Sequence, residues 1–230
     1  MGRLAVLLLF AAMAQAQRAP VLAELFTSEG CSSCPPADAL LQKLDSDVIV
    51  LSEHVDYWDR LGWRDPNSSH EFTARQERYS RALGVEVYTP QLVVDGREAV
   101  VGNEVEKVRG ALTRAAARAH SAVRITSAKR EGGEAAVTLS IPALAKGKDD
   151  VWVGVAAEAA RSSVKSGENS GHTLTHVAVL RTLTKAGVAS KSEGMEKTVR
   201  VPVAAEASRV VVFLTDSAGQ VNGADSVRLP

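Results

Sequence analysis

The stretch Val21-Leu22-Ala23-Glu24-Leu25-Phe26-Thr27-Ser28-Glu29-Gly30-Cys31-Ser32-Ser33-Cys34-Pro35-Pro36-Ala37-Asp38 carries the reading of the fold. Val21 to Phe26 is an apolar run interrupted only by Glu24, the pattern of a strand buried on both faces. Thr27 to Gly30 breaks that run. Beyond the cysteines, Ala37, Leu40, Leu41 and Leu44 recur at helical spacing. Pro35 and Pro36 fit a first helical turn, where the N–H groups have no intrahelical use. The order is strand, tight turn, two cysteines, helix.

That order has a chemical logic. A helix N-terminus presents unpaired N–H groups and about half a positive charge, which stabilises a thiolate at the first cysteine. A second thiol three residues on can attack a mixed disulfide and release the substrate. On this logic Cys31 is an exposed nucleophile and Cys34 the more buried resolving thiol. A structural disulfide or half of a metal site also fits the pair. The histidines (His54, His70, His120, His172 and His176) come with no second cysteine pair, so tetrahedral zinc has little support and no metal ligand is assigned. His172-x-x-x-His176 has ligand spacing but lies in the other expected domain, where two solvated imidazoles explain it better.

Working outward, Val48 to Val55 reads as a second strand, and a polar, aromatic segment runs from Asp56 to Asn67. His70 to Leu83 has helical spacing. Gln91 to Val94 is a strand that turns at Asp95-Gly96 and returns through Ala99 to Val101. Gly102-Asn103 opens a helix running to about His120, with Asn103 as a plausible N-cap. From Ser121 onward the helical period is lost. About seven short β-type runs follow, separated by turns such as Glu131-Gly132-Gly133, which suggests a β-sandwich. The expected organisation is an α/β domain over residues 17–121 and an all-β, sandwich-like domain over residues 122–230.

Residues 1–16 have the form of a secretory signal peptide: Arg3, then an apolar stretch from Leu4 to Ala12, then Ala14-Gln15-Ala16. The apolar stretch is short for a bilayer span. The expectation is a mature chain that starts near Gln17, is secreted or periplasmic, and has no membrane association after cleavage. The full chain has 27 Lys+Arg against 27 Asp+Glu, a balance that argues against nucleic-acid binding. With 45% hydrophobic and 23% charged residues it is neither disordered nor collagen-like, and two cysteines cannot build a disulfide framework.

Tyr88-Thr89-Pro90-Gln91, taken with the cysteine turn, resembles the thioredoxin superfamily. The resemblance implies that Pro90 is cis and that the backbone of Thr89 pairs with a substrate peptide beside Cys31. From Thr89 to Gly102-Asn103-Glu104 the chain looks like the glutaredoxins. That implies a γ-glutamyl carboxylate held by Gly102 and Asn103 at a helix N-terminus, with glutathione as the one small molecule to consider and otherwise no cofactor. Val101-Gly102 stands where a glycine pair is expected. Two departures concern the thiol itself: the intervening pair is Ser32-Ser33, whose hydroxyls could donate to a thiolate, and Glu29 nearby opposes its formation. The resemblance also implies a buried acid beneath the resolving cysteine. Glu24 is the candidate, with a plain structural strand residue as the alternative.

Six aromatic residues fall between Tyr57 and Tyr88. Parallel strands share one carboxyl edge, so the segment with Tyr57, Trp58 and Trp63 should neighbour Cys31, either as a substrate wall or as a small core anchoring a long loop. Glu24 to Asp38, Val55-Asp56-Tyr57-Trp58 through Gly62-Trp63-Arg64-Asp65-Pro66, Tyr88 to Gln91 and Gly167-Glu168-Asn169-Ser170-Gly171-His172-Thr173-Leu174 together resemble the secreted bacterial thioredoxin-like family catalogued as domain of unknown function 1223. The family implies a thioredoxin-like fold and an exported bacterial protein, with no settled substrate. Glu168 to His172 either converges on a partner or the cysteine site, or is only a turn.

The expected function is exported thiol–disulfide exchange. Cys31 attacks, Cys34 resolves, and Pro90 with Thr89 positions the peptide. The partners are protein or small-molecule thiols and disulfides, engaged by a monomer. A copper(I)-binding module or an interaction protein with a stabilising disulfide are the other classes.

Overall fold

The computed structural model describes residues 19–230. The expected signal peptide over residues 1–16 lies outside the described residues. Eleven strands and three helices follow in order: β1 (Ala19–Thr27), α1 (Pro35–Leu44), β2 (Val48–His54), α2 (His70–Leu83), β3 (Gln91–Val94), β4 (Glu98–Val101) and α3 (Val105–Ala116). Then come β5 (Arg124–Glu131), β6 (Glu134–Ile141), β7 (Lys148–Ser163), β8 (Thr173–Ser190), β9 (Met195–Pro202), β10 (Ala207–Thr215) and β11 (Val221–Arg228).

The expected fold class, an α/β thioredoxin-like domain followed by a separate all-β domain, is overturned. Strand makes up 47% and helix 19%, and the main element is one mixed eight-stranded sheet. Its order, β11-β10-β7-β8-β2-β1-β3-β4, takes strands from both sides of Ser121. β1 runs parallel to β2 and antiparallel to β3, whereas β8 lies parallel to β2 through the pair Ser52 and Val179. The physical reason is the open edge of β2. Seven consecutive buried residues make β2 a central strand, and unpaired backbone groups on a buried edge are costly. The long hairpin β7–β8 supplies the missing neighbour.

The packing repeats this fusion. The three-stranded sheet β5-β6-β9 packs on β7 and β10 around Val137, Leu139, Val153, Val201, Val210 and Val212, which is sandwich-like. The other face of β10 points elsewhere. Val211 and Phe213 join Leu22, Ile49, Leu51 and Phe72 in a core shared by the two halves. β10 is apolar at every position from Val210 to Leu214 because both of its faces are covered.

β1 sorts its side chains by the period of two. Val21, Ala23 and Leu25 face α1 and α3, with Ala37, Leu41, Val108 and Leu112. Leu22 faces the core that holds Phe72 of α2, and Phe26 meets Tyr79 of the same helix. α1 and α2 therefore lie on opposite faces of the sheet, and this decides which side chains reach the cysteines. At the far end of α1, buried Arg209 of β10 reaches Asp45 at 2.5 and 2.8 Å and Glu158 of β7 at 2.8 Å, locking the two halves of the chain together.

Candidate functional site

Cys31 and Cys34 form a disulfide with Cα atoms 5.4 Å apart. Cys34 is the N-cap of α1 and its carbonyl accepts from the N–H of Asp38 at 3.1 Å, so the pair does sit at a helix start. The expectation that Cys31 is exposed is corrected. Both cysteines are 0% exposed, whereas Ser32 and Ser33 between them are exposed. Ser33 Oγ lies 3.5 Å from Cys31 Sγ.

The loop joining β7 to β8 crosses the cysteine turn. Asn169, itself buried, donates its side-chain N–H groups to the carbonyls of Glu29 and Cys31, both at 2.9 Å. The Glu168 carboxylate accepts from the N–H of Ser32 at 3.1 Å. Ser166 Oγ donates to the Gly62 carbonyl, and a Cβ at Gly167 would stand 3.3 Å from Trp63 Cβ. Of the two readings of Glu168 to His172, the one that brings this segment to the cysteine site is the arrangement found.

The aromatic segment is the second wall. Trp58 Nε1 donates to Thr89 Oγ1 at 2.8 Å, and Trp63 Nε1 donates to Glu29 Oε2 at 2.8 Å. Tyr57 and Trp58 pack against Phe26, Val55, Tyr79 and Val93, so the segment is anchored by a small core and also borders the cysteine turn. The Thr89–Pro90 bond is cis. Gly102 fills the space between Pro90 and α1: a Cβ there would lie 2.8 Å from Leu25, 3.2 Å from Ala37 and 3.4 Å from Pro90.

This packing changes the glutathione reading. The Gly102 N–H is already used, donating to the Pro90 carbonyl at 2.9 Å. Asn103 is not the N-cap of α3. Glu104 holds that position, and Asn103 instead donates to the Ser33 carbonyl at 3.4 Å. With Glu104 and Glu106 at the helix start, an incoming carboxylate meets like charge there.

Beside the cysteine turn in the chain, Glu29 and Asp38 belong to a buried charged cluster that the sequence reading missed. Asp38 sits one helical turn after Cys34 on the same face of α1. Its Oδ2 accepts from Thr27 Oγ1 at 3.3 Å and lies 3.5 Å from His176 Nδ1. His176 Nε2 lies 3.5 Å from Glu29 Oε1. Both distances are long for hydrogen bonds, so the attraction is ionic more than directional. Burial alone would lower the His176 pKa, but Asp38 and Glu29 outweigh it and push it up to about 10. Burial likewise would raise Glu29, yet contacts from His176 and Ser162 hold it below the usual carboxylate range. The ring of His54 meets His176 edge-on at 4.5 Å, and its Nδ1 is 2.6 Å from Asp65. Burial opposes ionisation of Asp65 too, but His54 and the N–H groups of Glu29 and Asn67 bring its pKa to about 2.

Glu24 does not play the part expected of it beneath Cys34. It lies on the α2 face of β1, where Arg75 contacts it at 2.5 and 2.7 Å and Tyr79 donates to it at 2.6 Å. Glu53 shares this environment, and burial together with the Glu24 carboxylate pushes its pKa well up. A sequence signal for the true cluster existed: Asp38 interrupts the apolar face of α1, and Ser52-Glu53-His54 ends an otherwise apolar strand. His172 is exposed and His176 is turned inward to the carboxylates, so the two are not a ligand pair.

Residues 22–215 match the family model described as protein of unknown function (DUF1223). Among solved structures, protein AGR_C_4864 from Agrobacterium tumefaciens is 33% identical with a TM-score of 0.72, and the match covers 94% of this chain and 96% of that one. HBP35 of Porphyromonas gingivalis is 13% identical with a TM-score of 0.62, over 92% of this chain and 76% of that one, a likeness of fold alone. No curated protein matches the chain.

Proposed function

We propose that this chain, which belongs to the family described as protein of unknown function (DUF1223), is an exported thiol–disulfide exchange protein acting through Cys31 and Cys34. The observation that carries the reading is the buried cluster in which His176 stands between Glu29, two residues before Cys31, and Asp38, one helical turn after Cys34, at a disulfide that opens a helix. Buried ionised groups are costly and cluster where chemistry needs them. Asp38 Oδ1 is buried and has no hydrogen-bond partner among the described residues. A thiol on Cys34, present only after reduction, is the donor it lacks.

A reduced Cys31 thiolate attacks one sulfur of a substrate disulfide, and the other substrate sulfur leaves as thiolate. Cys34 gives its proton to the Asp38 carboxylate and attacks Cys31 Sγ, which expels the second substrate sulfur. The substrate gains two electrons and the cysteine pair becomes the disulfide. The opposite direction runs through the same steps. His176, held protonated, keeps two buried carboxylates tolerable on either side of it. On this reading Thr89 and cis-Pro90 position the substrate peptide, a kinship with the thioredoxin superfamily that is proposed for the site and not for the fold. Partners of this class are thiols and disulfides outside the cytoplasm, engaged by a monomer.

A second reading is a structural disulfide, favoured by the complete burial of both cysteines. Equilibration in glutathione or dithiothreitol buffers, read by alkylation mass shift, separates the two. A reduction potential between about −120 and −270 mV is expected, and a value below about −300 mV would establish a structural bond.

A further inference from the structure

We propose that the Gly167–Gly171 segment is a resident surrogate for substrate. It occupies the place an extended polypeptide takes when its thiol or disulfide is exchanged at Cys31, and it is displaced for exchange to occur. The inference rests on the exchange reading above and names the substrate class of that site.

Three backbone groups of the cysteine turn face this segment: the carbonyls of Glu29 and Cys31 and the N–H of Ser32. The Asn169 carboxamide satisfies the two carbonyls, and Glu168 satisfies the N–H. A primary carboxamide is the side-chain counterpart of a peptide group, so the partners it engages are those a polypeptide backbone engages. The Cys31 carbonyl also accepts from the N–H of Cys34 at 3.2 Å, so the Glu29 carbonyl is the one that loss of Asn169 leaves unpaired, and a buried carbonyl cannot be left unpaired without cost. The site is therefore built to hold peptide-like donors continuously, either its own or those of a partner.

Both cysteines are 0% exposed although Ser32 and Ser33 between them are exposed, and the segment is fastened to the backbone of this same turn at Glu29, Cys31 and Ser32. Nucleophilic attack needs a line of approach to a sulfur, and with the segment down both cysteines are fully buried. Charge acts in the same direction. Glu168 places a carboxylate on the N–H beside Cys31, where it opposes the thiolate that the helix start would otherwise favour. Gly167 and Gly171, with φ of 78° and 84°, bracket the segment in the left-handed region that side chains resist, so the change of path falls on residues able to take either hand.

The test is the rate at which the native disulfide is reduced, followed by alkylation mass shift under non-denaturing conditions. Two reductants of matched thiol pKa are compared: an extended hexapeptide with one central cysteine, and N-acetylcysteine amide. In the parent chain the small thiol reacts with a rate that levels off at high concentration, because it waits for the segment to open, whereas the hexapeptide displaces the segment as it binds, is not held to that ceiling, and reacts at least tenfold faster. Asn169→Ala raises the small-thiol rate at least tenfold and restores linear dependence on concentration. Glu168→Gln, at an exposed position, and Ser166→Ala, at a half-buried one, each remove a single contact of the segment and raise it by a smaller factor. Equal rates for the two thiols, or unchanged small-thiol kinetics in these two variants, overturn the proposal. Failure here appears in rates at an unchanged equilibrium, whereas failure of the exchange reading appears as a pair that physiological redox buffers do not reduce.

Discussion

The Asp38 carboxylate stands 3.5 Å from Nδ1 of His176, joining the helix that begins at the cysteine pair to the strand that closes the open edge of β2. That contact makes the second half of the chain part of the site. It also sets how stability varies with pH.

His176 has a folded pKa of about 10 against 6.5 for the free group, so its contribution is complete below about pH 6.5 and is lost as pH rises toward 10. Asp65 is displaced from 3.8 to about 2, so its contribution is complete above about pH 4 and lost as pH falls toward 2. Thermal unfolding should show its highest Tm between about pH 4 and 6.5. His176→Gln should flatten the alkaline decline, and Asp65→Asn the acid one. Parallel declines of parent and His176→Gln between pH 6.5 and 10 would remove this role from His176.

Glu24 and Glu53 share Arg75 but should not respond alike. Arg75 contacts Glu24 at 2.5 Å and Glu53 at 3.5 Å, and the Glu53 carboxyl is the one driven toward its neutral form. Glu24→Gln breaks the close buried pair and should cost about 3–5 kcal/mol in chemical denaturation. Glu53→Gln replaces a carboxyl whose burial already favours the neutral form and should cost less than about 1 kcal/mol. Neither should move the disulfide equilibrium by more than about twofold, because both lie across the sheet from α1. A large shift for Glu24→Gln would restore it as the acid beneath Cys34.

Gly102 should not tolerate a side chain. A Cβ 2.8 Å from Leu25 and 3.2 Å from Ala37 overpacks the junction of β1, α1 and the cis-Pro turn, and such insertions cost about 1–3 kcal/mol. Gly102→Ala should lower Tm and broaden the NMR signals of Thr89 and Cys31 together. A variant as stable as the parent would show that the turn gives way freely.

Arg209 tests whether the halves fold as one. Replacing it with Met removes its charged hydrogen bonds to Asp45 and Glu158, the latter keeping Arg228 at 2.6 Å, and about 1.5–3 kcal/mol should be lost. Trp fluorescence, which reports on Trp58 and Trp63 in the first half and Trp152 of β7 in the second, and far-UV circular dichroism should keep a single coincident transition. Two separated transitions would mean two independent folding units.

Local elements were legible because their causes are local. Val21 to Phe26 forms β1, the helix from His70 to Leu83 starts after Ser69 as an N-cap and stops at Gly84 with φ 67°, and Asp95-Gly96 turns with positive φ at both residues. Each follows from apolar period or turn chemistry within a few residues. Asn103 was misplaced by one residue as a cap for the opposite reason: its side chain is drawn away to Ser33, a contact 70 residues distant. The side of β1 on which Glu24 falls was also latent in its alternation with Leu22 and Phe26, but the sheet face that carries α1 is a tertiary fact.

By itself the sequence determined the cysteine pair at a helix start, the proline turn that follows, the aromatic segment beside them and the change of texture at Ser121. Each is written in residue spacing. Only the tertiary structure decided that the two halves share one sheet, that Asn169 and Glu168 are fastened to the cysteine turn, and that His176 stands between Asp38 and Glu29. Strand partnership and ion pairing depend on which edges and charges remain unsatisfied once every element is in place, and no local period records that.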